Sequence, residues 1–173
     1  MTIKMYRIDY ISTGDVYADH QHIKRIFNDC NCLYRLKENH TLVITDGAPN
    51  NSSCSVQTTT IPEDRVPFSL LANVAKRSRS SKKRIPITDP VEALGWLNRK
   101  EEEGGFKTDS VSIDFRGIAK GRKKNHYMTF NSILYKGYLE VIDKKLFQEV
   151  LIKGLGFAKA FGFGLLLCKN ESI

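Results

Sequence analysis

No stretch of these 173 residues approaches the ~18 consecutive apolar positions of a membrane span. The opening MTIKMYRIDY also lacks the apolar core of a signal peptide. Neither a membrane protein nor an exported one is expected, and the cytoplasm is the expected compartment. Cysteine is scarce: Cys30, Cys32, Cys54 and Cys168 are all there is. Cys30-Asn31-Cys32 has a single residue between its thiols, not the roughly two to four of zinc knuckles, and no second pair follows. Reduced structural thiols are expected, and no metal site.

Acid is missing where base is dense. Between Arg65 and Arg84 stand seven basic residues (Arg65, Lys76, Arg77, Arg79, Lys82, Lys83, Arg84) and no Asp or Glu. Arg116 to Lys124 holds five more (Arg116, Lys120, Arg122, Lys123, Lys124), again without an acid. The net charge is +8, from 27 Lys and Arg against 19 Asp and Glu. An even excess would speak only for solubility, whereas two acid-free clusters suggest surfaces for an anionic partner such as nucleic acid or a membrane face. The plainer alternative for each cluster is a solvated loop.

What is present is a globular chain, 41% hydrophobic and long enough for one or two small domains. Lys4 to Ile11 alternates as a strand does, Gly14 breaks it, and Asp15 caps a helix expected to run to about Asn28. On that helix Val16, Ile23 and Phe27 fall within about 40° and form the buried stripe. His20 flanks the stripe, with Tyr17 and Lys24 along the same edge, while His22 lies about 200° away. Cys32 to Leu36, Thr41 to Thr45 and Ser55 to Ile61 read as strands, with Asp46 to Ser53 a loop.

The second half reads as strand (Val66 to Ala75), basic loop, helix, strand (Val111 to Phe115), return strand (Tyr127 to about Val141), helix and final strand (Leu165 to Cys168). The first of these helices opens on Asp89-Pro90-Val91-Glu92, ends at Gly104-Gly105, and has Val91, Leu94 and Leu97 as its apolar stripe. Gly117 and Gly121 predict a hairpin turn within RGIAKGRKK. Asp143 caps the last helix, with Leu146, Phe147, Val150 and Leu151 facing inward.

The expected fold class is therefore α+β: two tandem ferredoxin-like (βαββαβ) domains, residues 1–62 and 63–173, the first with its second helix reduced to a loop. Glycines at 154, 156, 162 and 164 punctuate GLGFAKAFGFGLLL, with Lys159 between the pairs. A glycine-punctuated turn fits this stretch, and so does a backbone that phosphate approaches closely.

Five segments together resemble the CasE family of CRISPR precursor-RNA endoribonucleases, within the RAMP superfamily. They are DVYADHQHIKRIF, LLANVAKR, WLNRKEEEGGF, LYKGYLEVID and GLGFAKAFGFGLLL, spread from Asp15 to Leu167. The sequence departs from the family pattern in the short loop at Asp46 to Ser53 and in Leu71-Ala72-Asn73-Val74, where the family carries Arg-Ala-Asn-Pro.

The resemblance implies metal-independent RNA cleavage by the 2′-hydroxyl, without a cofactor, leaving a 2′,3′-cyclic phosphate and a 5′-hydroxyl. It implies a CRISPR repeat hairpin and the other Cascade subunits as partners, and no membrane. His20 is then the principal acid/base, since an imidazole near ~6.5 both takes and gives a proton at neutral pH. Tyr17 is its partner and Lys24 the nearby cation, with the roles of acid and base open between Tyr17 and His20. RNA binding falls to Lys76, Arg77, Lys82, Lys83, Arg84, Arg116, Lys120, Arg122, Lys123 and Lys124. It also falls to Gly154, Gly156, Lys159, Gly162 and Gly164, read as RNA-facing backbone apart from the chemistry. The alternative is a non-catalytic RNA-binding scaffold, which has no chemical reason to keep Tyr17 with His20.

Overall fold

The computed structural model describes residues 2–50 and 54–168. Its first unit contains β1 (Thr2–Ile8), α1 (Val16–Ile26), β2 (Cys32–Leu36), β3 (Thr41–Thr45) and β4 (Cys54–Thr60). These strands form one antiparallel sheet in the order β2-β3-β1-β4. The second unit contains β5 (Val66–Asn73), α2 (Pro90–Gly104), β8 (Phe106–Lys123), β9 (His126–Val141), α3 (Lys144–Lys153) and β10 (Leu166–Cys168). Its sheet runs β10-β5-β9-β8, also antiparallel. Both orders are the ferredoxin-like one, with the first and third strands of each unit central. Between β3 and β4 residues 46–50 form no helix, and residues 51–53 of that expected loop lie outside the described residues, as do 169–173 of the second unit.

The apolar pattern explains how the units meet. α1 buries Val16, Ile23 and Phe27 as expected, the last two against Tyr6, Ile8, Tyr34 and Val43 on one face of the first sheet. The other face carries Ile3, Met5, Leu33, Leu42 and Ile44, which merge into the same core as Phe68, Leu70, Trp96, Leu97 and Phe147. Each such side chain contributes about 1.5–3 kcal/mol when buried. One sheet thus packs on both sides, against α1 and against the second unit.

Four local expectations need correction. Val91 and Leu94 on α2 are 78% and 39% exposed, and the buried face is Ala93, Trp96, Leu97, Glu101 and Gly104. Gly104 explains the rotation: a Cβ there would lie 2.7 Å from Phe106 and from Val150, so the helix lies too close for any larger residue. Leu146 on α3 is likewise exposed, while Phe147, Val150 and Leu151 are inside. The basic loop after β5 contains a two-stranded hairpin, β6 (Ala75–Arg77) and β7 (Arg84–Pro86). RGIAKGRKK is strand and not turn: β8 runs on to Lys123 and pairs with β9 through Lys123 and His126, with the turn at residues 124–125. Its two glycines serve other ends. Gly117 takes φ +83° at a register shift in β8, and Gly121 packs on α1.

Candidate active site

The site begins at the N-terminus of α1. Asp15 accepts from the backbone N–H groups of Tyr17 and Ala18 through Oδ1, at 2.8 and 3.0 Å, which caps the helix. Its other oxygen, Oδ2, accepts from the backbone N–H of Arg122, 3.1 Å away at the far end of the β8–β9 ribbon. One carboxylate therefore fixes the first turn of α1 and ties the basic ribbon to it. Gly121 allows the contact, since a Cβ would sit 2.7 Å from Val16 and 3.0 Å from the Tyr17 nitrogen.

The next turn is held from inside. Asp19 is fully buried and accepts from Tyr10 Oη at 2.7 Å, Ser12 Oγ at 2.5 Å, and both Thr13 N and Oγ1 at 2.9 Å. A buried carboxylate is tolerable only with such a set of donors, and this one locks the β1–α1 loop onto the helix. Tyr17, His20 and Lys24 consequently project from a helix fixed at both its cap and its first full turn. All three are half-buried.

The Tyr17 and His20 rings lie 6.4 Å apart between centroids, and Lys123 of the ribbon stands 5.7 Å from the Tyr17 ring centre. On its other side His20 meets Phe161, at 5.2 Å, in a single 3₁₀ turn, Lys159–Phe161. Burial, and then the charge of Lys24, push the His20 imidazole below its ordinary value, against a hydrogen bond to the Ala160 backbone that pulls it up. A ring that stays neutral at pH 7 with one nitrogen engaged has the other free as a base. Lys24 itself is held loosely, its Nζ 3.9 Å from Asp29.

The glycine-rich loop is thus one wall of the site, where the sequence kept it apart from the chemistry. Its glycines face the protein. A Cβ on Gly154 would meet Leu33 at 2.7 Å, on Gly156 Trp96 at 2.9 Å, on Gly162 Tyr34 at 3.1 Å, and on Gly164 would collide with the Leu155 carbonyl. All four have positive φ. Backbone bonds from Leu155 N to Gly164 O and from Gly164 N to Leu71 O, each 2.8 Å, close the loop and anchor it to β5. Lys159 turns inward, donating to Gly154 O at 3.3 Å; burial, then Lys100 and Lys153, lower its pKa.

The basic clusters divide between open and occupied groups. Lys120, Lys123 and Lys124 are exposed along the end of the ribbon beside Tyr17, as is Arg122, whose Nε donates to Lys124 O at 3.1 Å and whose guanidinium lies 5.4 Å from the Tyr127 ring centre. Arg77, Lys82 and Lys83 are exposed on the β6–β7 hairpin. Lys76 instead pairs with Glu92 at 2.6 Å, Arg116 with Asp114 at 2.7 Å, and the Arg84 guanidinium lies 3.8 Å over the Phe157 ring of the glycine-rich loop. Asn73 accepts from the Asn131 N–H at 2.9 Å and is engaged inside the fold. His22 stacks on Tyr10 at 4.2 Å, away from the site.

Three contributors escape a reading of the sequence alone: Asp19, Ala160 with Phe161, and the ribbon-tying half of Asp15. Local spacing signals none of them, because each acts across the fold. No cluster of three or more His, Cys, Asp or Glu suited to a metal occurs among the described residues, and none of the described helices is long and apolar enough to cross a membrane.

Among characterised proteins the chain is similar to the CRISPR-associated endoribonuclease Cse3 of Thermus thermophilus, at 32% identity over 117 residues. That match takes in 61% of this chain and 56% of the relative's length. A solved structure of Thermus thermophilus Cse3 bound to an RNA representing a pre-cleavage complex superposes with a TM-score of 0.79 at 25% identity, covering 96% of this chain and 98% of that one. The CRISPR-associated protein Cas6e of Escherichia coli shares the fold, with a TM-score of 0.74 at 20% identity over 98% of this chain and 99% of the other. The family match runs from residue 7 to residue 169, across both ferredoxin-like units: the chain belongs to the CRISPR associated protein family.

Proposed function

We propose that this chain is an endoribonuclease that binds a CRISPR repeat hairpin and cuts precursor RNA without a metal. The observation that carries the reading is the placement of Tyr17, His20 and Lys24 on one fixed helix edge that opens onto the basic ribbon. Family membership and the likeness to RNA-bound Cse3 support it. In this reading His20 takes the proton of the 2′-hydroxyl, the 2′ oxygen attacks the neighbouring phosphorus, and the P–O5′ bond breaks. Tyr17 gives a proton to the departing 5′ oxygen. Lys24 offsets the charge that builds on the phosphoryl oxygens. The products are a 2′,3′-cyclic phosphate and a 5′-hydroxyl. A-form RNA is read through shape and charge, which suits Lys120, Arg122, Lys123 and Lys124 along the stem, with Arg77, Lys82 and Lys83 on a second front. Lys76, Arg84 and Arg116 reach RNA only by giving up their present partners, and the backbone of Gly154, Gly156, Gly162 and Gly164 with Lys159 shapes the floor. The enzyme then stays on its product hairpin beside the other Cascade subunits, in the cytoplasm.

The test is incubation of the purified protein with its repeat RNA in EDTA, followed by analysis of the product ends. Cleavage with a cyclic phosphate end is expected, and His20→Ala is expected to bind with unchanged affinity and not cut. Loss of cleavage on chelation, or a 3′-hydroxyl product, would overturn the reading. The scaffold alternative would show unchanged binding and no cutting by the unaltered protein.

A further inference from the structure

The helix edge that carries the catalytic candidates has two ends, and only one of them faces the ribbon. At the other end, past Lys24, lies a cavity of about 960 Å³ that His20 itself helps to line. Its floor is the first sheet and its far wall the C-terminal end of α3 and the 3₁₀ turn. Four lysines converge on it from four separate elements or loops: Lys4 from β1, Lys24 from α1, Lys153 from α3 and Lys159 from the glycine-rich segment. Asp46 is the single acid in the lining, and Glu149, just outside it, pairs with Lys153 at 2.7 Å. Between the lysines the wall is apolar, with Leu33, Ile44 and Ile152. The volume lies within the range of small-ligand pockets, and the pattern of a few cations on an apolar wall suits a flat base with a phosphate attached.

Its position says which nucleotide. Tyr17 to Lys24 spans seven residues of helix, about 10 Å, and runs from the ribbon to the cavity. A phosphate over His20 with the stem on the ribbon side has its other flank directed past Lys24. We propose that this cavity is a subsite for the unpaired nucleotide immediately beyond the scissile phosphate, on the side away from the stem, with Lys4 and Lys153 as its phosphate contacts, Lys153 turning to it from its present partner Glu149. This rests on the endoribonuclease reading above. It assigns a role to two lysines that belong to neither basic cluster, and it accounts for why Lys159 faces inward among like charges: the missing counter-charge is the phosphate of that nucleotide.

Three hairpin RNAs, each with a 2′-deoxy residue before the scissile phosphate so that it is bound and not cut, test it: one with its natural flank beyond the cut, one with the flank trimmed to a single nucleoside, and one with an abasic residue at the first flank position. Their affinities are measured for the unaltered protein and for Lys4→Ala/Lys153→Ala, two exposed positions whose loss leaves the core intact. The double variant is expected to bind the flanked RNA about three- to tenfold more weakly and the trimmed RNA unchanged. Its salt slope on the flanked RNA should fall by about 0.7 for each lost contact. The abasic RNA should lose affinity for the unaltered protein. Equal weakening on flanked and trimmed RNA, or no weakening on either, overturns the subsite. Cleavage is scored separately on the same RNAs with the 2′-hydroxyl restored: an unaltered protein that cuts none of them sinks the endoribonuclease reading, while the affinity comparison on the 2′-deoxy RNAs still decides the cavity.

Discussion

Two ionisable side chains carry most of what is specific here. His20 owes its depressed pKa to burial first and Lys24 second. A general base works only when deprotonated, so cleavage should fall as pH drops through a midpoint below the ordinary imidazole value. Lys24→Met removes the second cause: the acidic midpoint should move up toward ~6.5 without passing it, because burial remains. Single-turnover rates across that range read the midpoint independently of the lower plateau that loss of a cation brings. Arg35 is the second case. It is 6% exposed, its Nη2 donates to Ser69 Oγ at 3.3 Å, and its Nη1 has no hydrogen-bond partner among the described residues. Burial, and then Arg116, hold its guanidinium down to about 10, so it remains charged at neutral pH. Replacing an uncompensated buried cation by an apolar chain of similar length is often stabilising. Arg35→Met should raise the unfolding free energy by about 1–3 kcal/mol in a denaturant titration, and a loss of stability would contradict the unpaired state.

Elements were legible in the sequence where a local signal coincided with the tertiary demand. Asp15, Asp89 and Asp143 cap the helices they were expected to cap, and Val16, Ile23 and Phe27 face inward, because cap and stripe are properties of a single helix. The stripe on α2 misled because Trp96 and the small Ala93 and Gly104 decide which side approaches the sheet, and that preference exists only against Phe106 and Val150. Gly117 and Gly121 misled for a related reason: glycine marks either a turn or a close approach, and only the partner tells which. At Gly121 the partner is α1. Gly121→Ala should push the ribbon off α1, since a Cβ has no room beside Val16 and Tyr17. We expect cleavage to slow at least about tenfold, as small displacements of reacting groups do, with a lesser change in hairpin affinity. Equal losses in rate and affinity would mean that the ribbon binds without positioning.

On the scale of the whole molecule, element order was enough to reveal two ferredoxin-like units, yet it said nothing of how they join. The join is the core face of the first sheet. Leu33 is buried there, and its Cδ1 lies where a Cβ on Gly154 would come within 2.7 Å. Leu33→Ala should cost about 2–5 kcal/mol of stability through lost burial and the space left behind. Because the space opens beneath the loop that carries Ala160, the same variant should loosen the contact with His20. Its cleavage rate should therefore drop even at temperatures where circular dichroism shows it folded. Neither Lys4 nor Lys153 was legible as part of any site, since an isolated lysine on a strand or at a helix end has no pattern around it. The candidate site was half visible from the chain: the helix edge was, and the two surfaces that meet it were not.

The bond from Arg122 to Asp15 closes a span of 107 residues. During synthesis at roughly 5–20 residues per second, α1 leaves the ribosome about 5–20 s before the ribbon that packs beside its first turn. Ala160 and Phe161, which press on His20, emerge later still. A nascent chain in this interval carries Tyr17 and His20 without the ribbon or the loop wall. Under the proposed function, such a chain lacks two of the surfaces that surround Tyr17 and His20 until this long closure forms.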